Sequence, residues 1–161
     1  MSHADLVLRA VRWLYNTRRC QVVFAERSSW GGSGEACDAI GFRNSDSVQV
    51  ECKVSRSDFL ADGKKAWRHP VMAERSLGRE RYFLTPKGLL KPEEIPEGWG
   101  LLEVRGKVIC VVKKSDGFGN HWCRLRGELA LLVSALNPRS VNKIEPTPKD
   151  APTESEASDG E

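Results

Sequence analysis

The chain has 161 residues, 29% of them charged and 7% aromatic, with a net charge of +3. That length suits one domain plus a tail, and no apolar run approaches the roughly 18 residues of a membrane span, which excludes an integral helical membrane protein. The first ten residues include Asp5 and Arg9 and carry no signal-peptide apolar region, so the five scattered cysteines, with no CxxC pair, read as reduced intracellular thiols.

Charge divides the chain. Residues 1–135 hold 22 Lys and Arg against 16 Asp and Glu, whereas residues 136–161 hold 3 against 6. A mildly basic body with an acidic tail suits a nucleic-acid partner, although many basic surfaces are merely solvated.

In chain order, Leu6, Val7, Ala10, Val11, Leu14 and Tyr15 recur at helical spacing, predicting an amphipathic helix over 3–19. Ser2 followed by Asp5 is a capping-box pattern, and helix capping is the preferred role for Asp5. Cys20 to Ala25 is a short β-prone run. Ser28 to Gly34 forms a glycine-rich loop leading to Glu35. It lacks the Gly-Lys-Ser/Thr ending of a nucleotide P-loop, but Trp30 in it can stack on a base.

Two strand-like runs follow, Ala36–Phe42 and Val48–Val54, separated by the turn formers Arg43-Asn44-Ser45-Asp46. Alternation places Val48, Val50, Cys52 and Val54 on an apolar face and Gln49, Glu51 and Lys53 on a polar one, as in a half-buried strand. A hairpin centred between Asn44 and Ser45 sets Phe42 opposite Ser47, Ile40 opposite Gln49 and Asp38 opposite Glu51. Opposed carboxylates destabilise a sheet unless a proton or a cation joins them. A divalent ion answers that need.

Ser55 and Asp58 repeat the capping-box spacing, so a helix is expected to start there and run to about Arg68, stopped by His69-Pro70. Its N-terminus, with Lys64, Lys65 and Arg68 along it and Trp67 among them, would favour phosphate; the alternative for these cations is a solvated helix face. Residues 71–80 read as a polar connection and Arg81–Thr85 as a buried strand ended by Pro86. Lys87–Gly98 reads as a loop. Gly100–Val104 and Lys107–Lys113 form a hairpin about Arg105-Gly106, and Leu125–Leu136 an apolar helix packing on the sheet. A zinc site at His121 and Cys123 lacks the second ligand pair. The expected organisation is a domain over 1–136 and a disordered acidic tail over 137–161.

Hydrolysis of a phosphodiester needs an activated water, neutralised charge in the transition state and help for the leaving oxygen, and carboxylate-held Mg²⁺ supplies much of this. Asp38 and Glu51 fit as ligands, with the carbonyl of Cys52 as a third; Lys53 can orient the water or stabilise developing charge. The Cys52 side chain points away, into the core.

Asp38…Glu51-Cys52-Lys53 resembles the signature of the PD-(D/E)XK nuclease superfamily. The extension Val50–Asp62, with Arg81-Tyr82-Phe83-Leu84 and Ile95–Leu102, resembles the MmcB-like branch and related phage-encoded proteins, over about residues 5–115. The resemblance implies an α/β (α+β), restriction-endonuclease-like αβββαβ core with a central mixed sheet flanked by helices. It also implies Mg²⁺ or Mn²⁺ and DNA as substrate, in DNA repair, recombination or phage DNA processing. Asp38, Glu51 and Lys53 would be the catalytic set. Nucleic-acid contacts are expected from Ser55, Arg56, Lys64, Lys65, Arg68 and Trp30. Cys37 stands where many members have proline. The acid that many members carry on the first helix is represented here by Asp5 alone, far from that helix's centre, and Glu35 is its substitute as a ligand. The expected location is the cytoplasm of a bacterial or phage-infected host cell; a homodimer is one arrangement open to the chain. Two other readings stand beside this one: a nuclease-fold DNA-binding module with little or no cleavage, and a binding protein whose acids merely pair with Lys53.

Overall fold

The computed structural model describes residues 1–28, 36–44, 46–63, 77–118 and 122–136. Element order is α1 (His3–Asn16), β1 (Val22–Ser28), β2 (Ala36–Arg43), β3 (Asp46–Cys52), α2 (Arg56–Asp62), β4 (Glu80–Pro86), β5 (Trp99–Arg105), β6 (Val108–Lys113) and α3 (Trp122–Leu136), with a 3-10 turn at Pro92–Glu94. The strands form one open mixed sheet in the order β1-β2-β3-β4-β5-β6. β1, β2 and β3 pair antiparallel, β3, β4 and β5 parallel, and β6 returns antiparallel to β5. This is the expected α+β class, and its first six elements follow the expected α-β-β-β-α-β order.

Local chemistry explains the boundaries. Ser2 Oγ accepts the Asp5 N–H at 3.1 Å and Asp5 Oδ2 accepts the Ser2 N–H at 2.9 Å, closing the capping box. Asn44, in the left-handed region at φ 49°, turns β2 into β3, and Arg43 pairs with Asp46 across the turn. The observed pairs Ile40–Gln49 and Phe42–Ser47 are those the turn formers predicted. Gly106 takes φ 61° in the tight β5–β6 turn, which favours glycine.

α1 lays Leu6, Ala10, Trp13 and Leu14 on one sheet face, against Val48, Val50 and Cys52 of β3 and Tyr82 and Leu84 of β4. The other face carries two apolar clusters. One joins Cys37 and Ile40 to Leu77 and Leu131 of α3. The other joins Phe83, Trp99 and Leu101 to Leu90 and Ile95 of the β4–β5 connection, with Phe59 of α2 packed against it.

This arrangement corrects the expectation of a half-buried strand. Gln49, Glu51 and Lys53 are as buried as Val48 and Val50. β3 sits between an antiparallel and a parallel neighbour with cover on both faces, the usual fate of a parallel strand. The strand also stops at Cys52, leaving Val54 exposed rather than on the apolar face. The first helix ends at Asn16 rather than at residue 19. The described part of α2 ends at Asp62 with Gly63 as its C-cap; the extension to Arg68 lies outside the described residues, as do His121 of the zinc pair, residues 71–76 and the tail at 137–161.

Candidate functional site

The site lies where β2 and β3 stop pairing. Their ladder runs from Arg43–Asp46 to Ala39–Val50, and Asp38 is the next residue of β2. On the other edge of β2, the pairs with β1 step over it, from Ala25–Ala39 to Arg27–Cys37. Opposite that step Glu26 adopts a left-handed φ of 49°, uncommon for a non-glycine residue. Asp38 is thus released from regular pairing, and its Oδ2 accepts the Cys52 N–H at 2.7 Å. Its Oδ1 lies 3.5 Å from Nε2 of His3 on α1.

Glu51 and Lys53 extend to the face opposite α1. Glu51 Oε1 accepts from Gln49 Nε2 at 2.9 Å, and its Oε2 lies 3.7 Å from Lys53 Nζ. The ammonium of Lys53 also reaches Asp62 Oδ1 at 3.1 Å and Asp58 Oδ1 at 4.0 Å, both on α2. Lys53 is 4% exposed and Asp62 2%. An isolated charge buried so deeply is very unfavourable, whereas a paired and hydrogen-bonded one is tolerated. Between the two acids sits Cys52, its thiol in the α1 core as expected. Burial raises the pKa of that thiol far above its ordinary range, and the negative charges of Asp38 and then Glu51 raise it further. Both carboxylates therefore act on the same stretch of β3.

Asp38, Glu51 and Lys53 are thus brought to one end of β3, with Asp38 fastened to the peptide between the other two. Ser55 caps α2, accepting the Asp58 N–H at 3.2 Å. Arg56 is exposed but its guanidinium is engaged, donating to Glu94 Oε2 at 3.0 Å and to the Leu89 carbonyl at 3.3 Å. Trp30, Glu35, Lys64, Lys65 and Arg68 lie outside the described residues.

Asp38 and Glu51 provide hard oxygen donors of the kind Mg²⁺ takes, and that ion keeps several waters while binding one or two carboxylates. Among the described residues no group of three or more His, Cys, Asp and Glu side chains gathers for a metal, and Glu51 is already engaged by Gln49 and Lys53.

Sequence reasoning missed Asp62 and His3. Asp58 and Asp62 stand four apart, on one face of a helix beginning just after Lys53, and that spacing was a usable signal. Nothing in the sequence linked His3 to Asp38.

No family model and no curated protein matches the chain. Among solved structures it is similar to the SPO1766 protein of unknown function from Silicibacter pomeroyi, with a TM-score of 0.63 and 19% identity, covering 94% of this chain and 99% of that one. At that identity the likeness speaks to the fold alone. No helix among the described residues is long and apolar enough to cross a membrane.

Proposed function

We propose that the protein is a metal-dependent DNA nuclease, with Asp38 and Glu51 as ligands of Mg²⁺ or Mn²⁺ and Lys53 as the cation beside them. One observation carries the reading. The hydrogen bond from Cys52 N–H to Asp38 Oδ2, 2.7 Å long, ties the β2 carboxylate to the peptide joining Glu51 and Lys53. The bond holds Asp38 at the end of β3 that also carries Glu51, and a cation between two carboxylates favours their charged forms.

When bound, the ion would activate water and neutralise charge on the scissile phosphate. The chain's own part is positional. Asp38 is held by the Cys52 amide, Glu51 by the Gln49 amide, and Lys53 presents its ammonium from the residue just after β3, where its N–H donates to the Leu84 carbonyl at 3.0 Å, a fixed placement of the kind electrostatic preorganisation requires. DNA repair, recombination or phage DNA processing is the work such a centre fits.

A specific observation favours a second reading, a nuclease-fold DNA-binding module with little or no cleavage. Asp62 already neutralises Lys53 inside the protein, which suits a structural ammonium. Incubation with single-stranded, duplex and branched DNA in Mg²⁺ and in Mn²⁺ decides between them. Cleavage by the wild type, lost in Glu51→Gln with binding intact, supports the nuclease. Binding without cleavage of any substrate supports the module.

A further inference from the structure

We propose that the cleft between α1 and the β5–β6 hairpin binds the phosphate backbone of a nucleic-acid strand. Two adjoining hollows, about 410 and about 560 Å³, share Arg9, Arg12 and Lys107 in their walls. These cations come from distant parts of the chain, and the hairpin is fastened to the helix where Arg9 Nη1 donates to the Gly106 carbonyl at 3.1 Å. The left-handed turn at Gly106 thereby sets Lys107 beside Arg12.

Charge and lining chemistry select the occupant. Arg12 and Lys107 are exposed and have no ion pair among the described residues, unlike Arg56, Arg79 and Arg105, each of which faces a carboxylate. The one acid in the walls, Asp5, is turned to Ser2 and held below the usual carboxylate range, first by the Ser2 backbone hydrogen bond and then by its hydroxyl. Asn16 and Thr17 extend the lining at the other end, and such amides and hydroxyls commonly contact phosphate and sugar. Trp13 in the wall is buried, with its ring edge against Tyr82, so the cleft offers no stacking platform for bases. A basic hollow without such a platform suits sequence-independent backbone contact. The same helix carries His3, which touches Asp38, so a strand seated here runs along the element that leads to the candidate centre.

The inference rests on nucleic acid being the substrate but not on its being cut, so binding is measured in EDTA. The probes are fluorescently labelled single-stranded and duplex oligonucleotides, titrated by anisotropy across a salt series with the full chain, with ATP and pyrophosphate as competitors. The variants are Arg12→Ala with Lys107→Ala, Arg12→Glu with Lys107→Glu, and Lys87→Ala as a cation lost elsewhere. We expect the double alanine variant to bind about tenfold or more weakly, with the salt slope shallower by about 2. The charge-reversed pair should bind more weakly still, and Lys87→Ala should match the wild type. Unchanged affinity and slope in both double variants, with circular dichroism unchanged, overturns the proposal, as does a wild type that binds neither oligonucleotide. Stoichiometric displacement by ATP or pyrophosphate at micromolar concentration also overturns it, in favour of a small-phosphate site. Loss of cleavage with this binding retained counts against the nuclease reading alone.

Discussion

Lys53 Nζ lies 3.1 Å from Asp62 Oδ1, and both side chains are buried. The pair joins the end of β3 to the last residue of α2, and Glu51 and Asp58 complete a carboxylate ring about the ammonium. Removing one partner of a buried pair leaves the other charge without compensation, which costs about 3–5 kcal/mol. Because two acids remain near Lys53, Asp62→Ala is expected at the lower end, about 3 kcal/mol, and Asp62→Asn at less than that. Urea unfolding with an unchanged m-value measures both. A loss under about 0.5 kcal/mol in Asp62→Ala, the range of ordinary surface substitutions, would mean that the pair does not organise this end of the sheet.

Glu128 gives α3 its place. Its Oε1 accepts from Ser47 Oγ at 2.7 Å and from the Gly78 N–H at 3.1 Å, and Arg124 Nε lies 3.5 Å away. Leu131 is the one hydrophobic residue of this helix that is fully buried among the described side chains, while Leu125, Leu129, Val133 and Leu136 are exposed. Glu128→Ala should therefore destabilise by about 2–3 kcal/mol, from buried donors left unsatisfied. The loss should be local first: amide hydrogen exchange in α3 should accelerate while the β3–β4 ladder stays protected. Uniform acceleration across the sheet would argue against this anchoring.

Acid should loosen the β4–β5 connection. The Arg56 guanidinium, followed by the Lys91 backbone N–H, lowers Glu94 from its ordinary 4.5 to about 2. A depressed folded-state pKa stabilises at pH above the unfolded value, and that contribution is lost as pH falls through the folded one. The contact between α2 and the Pro92–Glu94 turn is thus expected to be complete above about pH 4.5 and to disappear towards pH 2. NMR titration of the Glu94 carboxyl, compared between wild type and Arg56→Ala, checks it. A midpoint near 4.5 in the wild type would remove the ion pair from the description.

Much of the frame was legible because its determinants are local. Four turn formers at 43–46 set the β2–β3 register, Ser2 with Asp5 and Ser55 with Asp58 marked helix starts, and Gly106 marked the last hairpin. The buried polar row of Gln49, Glu51 and Lys53 was not legible, because alternation reports only that two faces differ; what covers each depends on Leu131, Leu90 and Ile95, all distant in sequence. Asp62 was missed because its partner is set by how α2 folds back over β3. The cationic cleft was invisible for the same reason: Arg9 and Gly106 meet only after the sheet has formed.

Of the candidate site, the sequence singled out Asp38, Glu51 and Lys53; the expected Asp38–Glu51 pair is not part of the ladder, which ends at Ala39–Val50, and Asp38 reaches β3 instead through its bond from the Cys52 N–H. The most direct test is nicking of supercoiled plasmid in Mn²⁺ by the wild type and by Asp38→Asn, whose amide oxygen can still accept the Cys52 N–H. The expected result is metal-dependent nicking by the wild type, abolished by EDTA and slowed about 100-fold or more in the variant, with thermal stability retained. No nicking by the wild type in any divalent metal, or equal nicking by the two proteins, would contradict a nuclease centre on Asp38.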